Sequence, residues 1–417
     1  MSTPSPGRAD GPELATPDHL IVRALWPVLL AAVISLFPFT IFSTFLVPIA
    51  ATADQETSVV GMLRGLGGVA ALLTGIGLAP LIARWSAPHA TAASLALLSG
   101  TSLIATVGTL PALIVFCVGI GAATAILTPT LLVTATTTYP NRGDSGRAAT
   151  IVTATQSLAA VLAAPVIGGI GLWNGWHGVL WITAAAALTL AAFFLRTSRA
   201  GQVASTPRLP YAASFAQLRH RHDLLALIAI AFLRTTTFMG YLAILAAHYH
   251  DRFAVEPTGV TLIWTLSGAS FFTGNFLAGR WARGGHRRQK LLLALGLIGA
   301  AIAVIALFTT DFLAGALVAT VLMGFCHAIV AALITTLLAE RGEQLTASAY
   351  SINAAGMSLG VFTGALLAGA GLAFGGGIAV ALALGIPTLL AITLVPVAAP
   401  RSDHCLPEGH GLPEGRG

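Results

Sequence analysis

Two arginines, Arg64 and Arg234, stand inside long apolar stretches of this chain, where an ionised group is costly and usually has a task. Arg234 lies about eleven residues into its stretch, roughly 16 Å from the start at 1.5 Å per residue, and Thr235, Thr236 and Thr237 follow it. A guanidinium there needs a wet cavity or a partner, and its planar fork suits a carboxylate or phosphate. Arg64 lies nearer an end of its stretch. It is expected to reach the membrane interface or pair with Asp54 or Glu56, with substrate contact as the alternative. His327, within Phe325-Cys326-His327-Ala328, could relay a proton near neutral pH; equally, it could be a neutral ring bonded to a neighbouring helix.

None of the 15 acidic residues falls within the hydrophobic core of an apolar stretch, so a buried carboxylate relay is not evident. Proton-handling candidates reduce to His327 and to Asp54, Asp223 and Glu340 near stretch ends. Gln156 and Asn353 occupy similar heights in corresponding stretches, either bonding helix to helix or touching substrate. Tyr241 and Trp264 could stack on a substrate or serve packing. Thr40, Ser43 and Thr128 are expected to bond their own backbone.

The elements that must position these groups are membrane helices. Of 417 residues, 56% are hydrophobic and 9% charged, with a mean hydropathy of +0.86; soluble domains carry about 25% charged residues. Spanning a bilayer takes about 20 apolar residues. Twelve such stretches are expected, near 24–50, 58–83, 90–109, 112–138, 148–170, 178–197, 223–249, 258–280, 289–309, 312–338, 346–373 and 376–398. Eighteen of the 21 basic residues then fall on one side, with Arg252 in a loop opposite. That bias places both termini in the cytoplasm; the expected location is the inner membrane. The basic residues form no nucleic-acid-binding face. Cys117, Cys326 and Cys405 are too scattered for a disulfide framework or metal site, and no cofactor is called for.

Six stretches precede the polar segment 198–222 and six follow it. The expected organisation is a disordered N-terminus (1–22), a six-helix half (23–197), a cytoplasmic linker (198–222), a second six-helix half (223–398) and a disordered tail (399–417). Ala160, Ala164 and Gly168 recur as Gly356, Gly360 and Gly364, each 196 positions later. Paired repeats of this kind underlie alternating access. Pro27, Pro38 and Pro48 are expected to loosen the first span.

Several motifs sit in order on this frame. The loop after the eighth stretch reads Gly279-Arg280-Trp281-Ala282-Arg283-Gly284-Gly285-His286-Arg287-Arg288, and the loop after the second ends in Arg84-Trp85. The fourth stretch carries Gly119-Ile120-Gly121-Ala122-Ala123, and the fifth Ala164-Pro165-Val166-Ile167-Gly168-Gly169, followed by Gly175-Trp176-His177. Together these resemble the major facilitator superfamily, in particular its bacterial twelve-helix drug and sugar efflux branch. The first loop resembles that family's G-R-x-A-D-R-x-G-R-R, with Arg283 in place of the acid. The fifth-helix run is similar to the antiporter signature G-P-x-x-G-G.

The resemblance implies an all-α membrane fold of two pseudo-symmetric six-helix halves. It also implies proton antiport. The expected function is export of a small organic molecule, for which the two arginines suggest an anionic group, by a protein acting as a monomer among membrane lipids. A facilitator or anion exchanger without proton coupling is the alternative. A membrane enzyme would need a clustered acid, histidine or metal constellation at one interface, which no loop supplies.

Overall fold

In the computed structural model, residues 16–78, 85–139, 142–197, 211–281 and 285–398 are described. Among them all regular structure is helical. The first span is three pieces, α1 (Asp18–Ile34), α2 (Phe37–Thr44) and α3 (Leu46–Thr52). The breaks have a local cause. A proline lacks the amide proton and its ring clashes with the carbonyl four residues back. Counting back from Pro38 and Pro48 gives Ile34 and Thr44, where α1 and α2 end. Pro27 is accommodated inside α1 without a break.

There follow α4 (Thr57–Leu73), running into a π-helical turn (Thr74–Leu78), then α5 (Ala87–Ala105) and α6 (Leu110–Thr137). Next is α7 (Arg142–Thr197), a double element whose limbs meet at Asn174–Gly175. The short α8 (Tyr211–Leu218) lies between the halves in sequence. The second half comprises α9 (His222–Phe253), α10 (Pro257–Trp281), α11 (His286–Thr309), α12 (Leu313–Gly342) and the double α13 (Thr346–Ala398).

Eight helices among the described residues are long and apolar enough to cross a membrane, and α7 and α13 among them contain two limbs each. With α5 and α10 alongside, the course is consistent with twelve crossings.

The limbs of α7 and of α13 meet in the same way. Asn174 (φ −151°, ψ 36°) and Gly175 (φ 55°, ψ −149°) match Gly375 (φ −159°, ψ 16°) and Gly376 (φ 59°, ψ −149°). The second residue of each pair lies in the positive-φ region that only glycine enters without strain. The limbs of α13 then pack closely: a methyl on Gly371 would lie 3.0 Å from the Val380 backbone.

Helix formation begins earlier than the sequence suggests. Residues 1–22 are expected to be disordered, yet α1 starts at Asp18. The reason is a polar anchor. Arg147 pairs with Asp18 and donates to the Thr16 carbonyl at 2.6 Å, and the Thr16 hydroxyl donates to Asp144. Likewise α8 lies within the expected linker, where Gln217 accepts from Ser348 at 3.0 Å. Residues 1–15, 198–210 and 399–417 lie outside the described residues.

One core cluster draws on residues 21–194 with Ala246, Ala247 and Val260; the other two draw on 218–398. Between helices in lipid there is little hydrophobic drive, so close backbone approach takes its place. A methyl on Gly65 (α4) would lie 3.0 Å from the Phe362 carbonyl, and one on Gly268 (α10) 2.9 Å from the Ala160 carbonyl.

The expected glycine echo has a different use in each half. On α7, Ala160 and Gly168 face α10 of the other half. On α13, Gly360 and Gly364 face Phe232 and Thr236 of α9 in their own half. The inter-half contacts, those of Gly65, Gly168 and Gly268, run from mid-height to the end away from Asp18 and Ala398, here called the distal end.

Candidate functional site

Arg234 is placed at mid-height of α9 and is 8% exposed; His327, at mid-height of α12, is 5% exposed. The Arg234 Nη1 lies 2.8 Å from His327 Nε2. Arginine only donates, so Nε2 is the acceptor and the imidazole is neutral with its proton on Nδ1. The ring is stacked on Phe238, centroids 3.7 Å apart and planes 8° from parallel, with Phe271 of α10 at 5.9 Å. The second terminal nitrogen, Nη2, faces the thioether sulfur of Met357 at 4.0 Å. A thioether is a weak acceptor. The Nε of Arg234 is buried with no partner. The Nδ2 of Asn353 lies 3.5 Å from the same sulfur, and its Oδ1 is buried without a partner. Four elements thus bring a cation, a neutral imidazole and an amide together, with no carboxylate among the described residues.

Arg64, on α4, is 7% exposed. It neither reaches the interface nor pairs with Asp54 or Glu56, which corrects the expectation. Its Nη1 donates to Ser43 Oγ at 2.5 Å, its Nη2 faces Met239 Sδ at 3.9 Å, and the guanidinium carbon lies 5.8 Å from the centre of the Phe39 ring. Met239 belongs to α9. Among the described residues, Arg64–Met239 is the only side-chain hydrogen bond between the halves. The reading of Ser43 as bonded to its own backbone is also corrected, whereas Thr40 does donate to Leu36.

The remaining candidates are dispersed. Tyr241 is fully buried and donates to Ser267 at 3.3 Å, so its hydroxyl is committed to helix packing. Trp264 packs against core clusters of both halves, and its indole nitrogen is buried without a partner. Gln156 is half-buried on α7.

Three of the candidates named for protons sit at helix ends. Asp54 is exposed in the turn after α3. Asp223 receives both Arg221 Nε and Nη2, at 3.1 and 3.2 Å. That carboxylate raises the Arg221 pKa above its usual value, against the effect of partial burial. Glu340 accepts from Gln289 at 3.2 Å.

The residues missed by sequence reasoning are Phe238, Phe271, Met239 and Met357. Apolar residues inside apolar helices give no periodic signal of their own. Only helical spacing from an arginine gives a hint, and only for the first: Phe238 lies one turn from Arg234.

A bundle with paired limb reversals, inter-half seams and buried basic groups at mid-height suits a transporter. The sequence matches the Major Facilitator Superfamily profile over residues 28–346 and again over 227–414. The chain belongs to the Major Facilitator Superfamily.

Solved structures agree at the level of fold. A bacterial homologue of the human lysosomal transporter Spinster, in an inward-facing and unoccupied conformation, superimposes with a TM-score of 0.69 at 16% identity, covering 92% of this chain and 96% of that one. Its occupied inward-facing form gives 0.68 at 17% identity, covering 90% and 95%. A variant of the nucleoside transporter NupG gives 0.66 at 16% identity, covering 89% and 98%.

A chloramphenicol resistance protein of Streptomyces lividans is 29% identical over 236 residues, 54% of this chain; the match spans 57% of that relative's length.

The superfamily motif positions can now be placed. Arg280 lies 4.2 Å from the centre of the Phe276 ring, while Arg287 and Arg288 are exposed at the start of α11. Gly279 is at the end of α10. Arg84 and Arg283 lie outside the described residues. On α7, Ala164 is buried and Pro165 stands inside the helix; a methyl on Gly168 would meet Thr261 at 2.8 Å, and Gly169 faces open space.

Proposed function

We propose that this chain is a secondary transporter that exports a small organic anion by alternating access, acting as a monomer in the inner membrane with both termini in the cytoplasm. The observation that carries the substrate class is the pair Arg64 and Arg234. Each is buried and lacks a carboxylate partner among the described residues, and each turns a terminal nitrogen to a methionine sulfur. A carboxylate or phosphate would replace the weakest acceptor available with the strongest. The halves 23–197 and 223–398 would rock about that site. The seams towards the distal end support a resting form closed there and open towards the cytoplasm.

Export is favoured by the chloramphenicol resistance relative and by the resemblance to the efflux branch, which also supplies the expectation of proton antiport. Anion exchange without protons is a second reading with its own support. The described spans offer no carboxylate near the arginines, and a proton on His327 would add a second cation beside Arg234. That reinforces anion binding rather than competing with it.

Counterflow of labelled organic acids in proteoliposomes, with and without a pH gradient, tests both. Transport driven by the gradient supports antiport, and gradient-independent exchange supports the second reading. Unchanged transport in Arg234→Gln removes the anion assignment.

A further inference from the structure

Two buried polar atoms at mid-height have opposite needs and a common neighbour. The Nε of Arg234 is a donor without an acceptor, and the Oδ1 of Asn353 is an acceptor without a donor. Both side chains lie within 4.0 Å of one atom, the sulfur of Met357. That sulfur accepts and does not donate, so the amide turns its nitrogen to it and leaves the oxygen unused. Buried polar groups are nearly always paired, and an unpaired one calls for an explanation. Here two stand together, beside the stacked rings of Phe238 and His327.

We infer that the transported anion also carries a hydrogen-bond donor, a hydroxyl or an amide N–H close to its acidic group. The acid takes the guanidinium of Arg234, and the hydroxyl or N–H donates to Asn353 Oδ1. The substrate class is therefore hydroxy acids and N-acyl acids rather than simple carboxylates. This rests on the anion reading proposed above. A site built to accept a donor discriminates against the analogue lacking it, because the buried acceptor is then left unpaired.

Three acids of similar shape separate the inference from the reading beneath it: mandelate, phenylacetate and α-methoxyphenylacetate. Binding is measured calorimetrically on the purified full chain. The expected result is mandelate at least about tenfold tighter than the other two, since the methoxy group fills space without donating.

Asn353→Leu is expected to bring the three acids to one affinity, while Asn353→Gln, which keeps an acceptor, retains part of the preference. Arg234→Gln weakens all three together. Equal binding of the three by the unaltered protein overturns the donor inference and leaves the anion reading intact, as does a preference that survives in Asn353→Leu. Failure of Arg234→Gln to weaken any of them, or of the unaltered protein to bind any, overturns both.

Discussion

The guanidinium of Arg234 donates to Nε2 of His327 across 2.8 Å, so the histidine in this state is an acceptor and not an acid. Its ring is fixed further by the face of Phe238. Replacing it by leucine or phenylalanine removes the acceptor and leaves another arginine N–H unpaired, at a cost of about 1–3 kcal/mol. His327→Gln can keep an acceptor at similar reach. Thermal unfolding in detergent should therefore rank the native protein above His327→Gln, and that above His327→Leu.

Charge alone does not satisfy the site. Arg234→Lys keeps a cation but loses the planar fork and the reach to two partners at once. The variant is expected to transport organic acids at least about tenfold more slowly, equivalent to about 1.4 kcal/mol in the rate-limiting step. Restoration of the full rate by lysine would show that only the charge is read.

The fold was legible in the sequence because hydropathy and arginine placement act over long stretches, and no local detail is needed to read them. The site was legible only in part. Arg234, His327 and Asn353 announced themselves as polar residues at apolar depth, but which of them meet depends on how α9, α12 and α13 are rotated. Rotation is set by glycine contacts such as Gly364 on Thr236, which leave no mark beyond the glycines. Arg64 shows the limit more sharply. Its acidic neighbours in sequence suggested a surface pair, whereas the fold brings it Ser43 and Met239.

Those glycine contacts are testable. A methyl on Gly364 would collide with the Thr236 carbonyl and lie 2.8 Å from the Gly240 nitrogen; on Gly356 the nearest atom is 3.7 Å away. Gly364→Ala should destabilise by about 1–3 kcal/mol through overpacking, while Gly356→Ala should be neutral or gain slightly from helix propensity. Comparison of the two melting temperatures checks the seam between α9 and α13.

Closure of the distal end can be trapped. A β-carbon placed on Gly168 would lie 3.1 Å from that of Thr261 on the opposite half, close to disulfide geometry after a small adjustment. In the double variant Gly168→Cys with Thr261→Cys, oxidation is expected to stop transport and a reductant to restore it. Full activity of the cross-linked protein would mean that this seam does not open during the cycle.

Thr44 offers a test in the opposite direction. Thr40 and Thr52 bond their own helix, but the Thr44 hydroxyl is buried without a partner where Pro48 interrupts the chain. Thr44→Val conserves the shape and removes the unpaired group, so stability should stay level or rise by about 0.5–1 kcal/mol. A clear fall in melting temperature would reveal a bond that the hydroxyl makes in membrane or detergent.

The matched reversals at Asn174–Gly175 and Gly375–Gly376 leave four helical limbs almost no connecting chain at the distal end. The other connections there are as spare, for example 53–56 and 254–256. An antibody fragment or a protease approaching from that side would find little to grip. Reporter tags and affinity handles therefore belong at the opposite end, where α1 begins and α13 finishes.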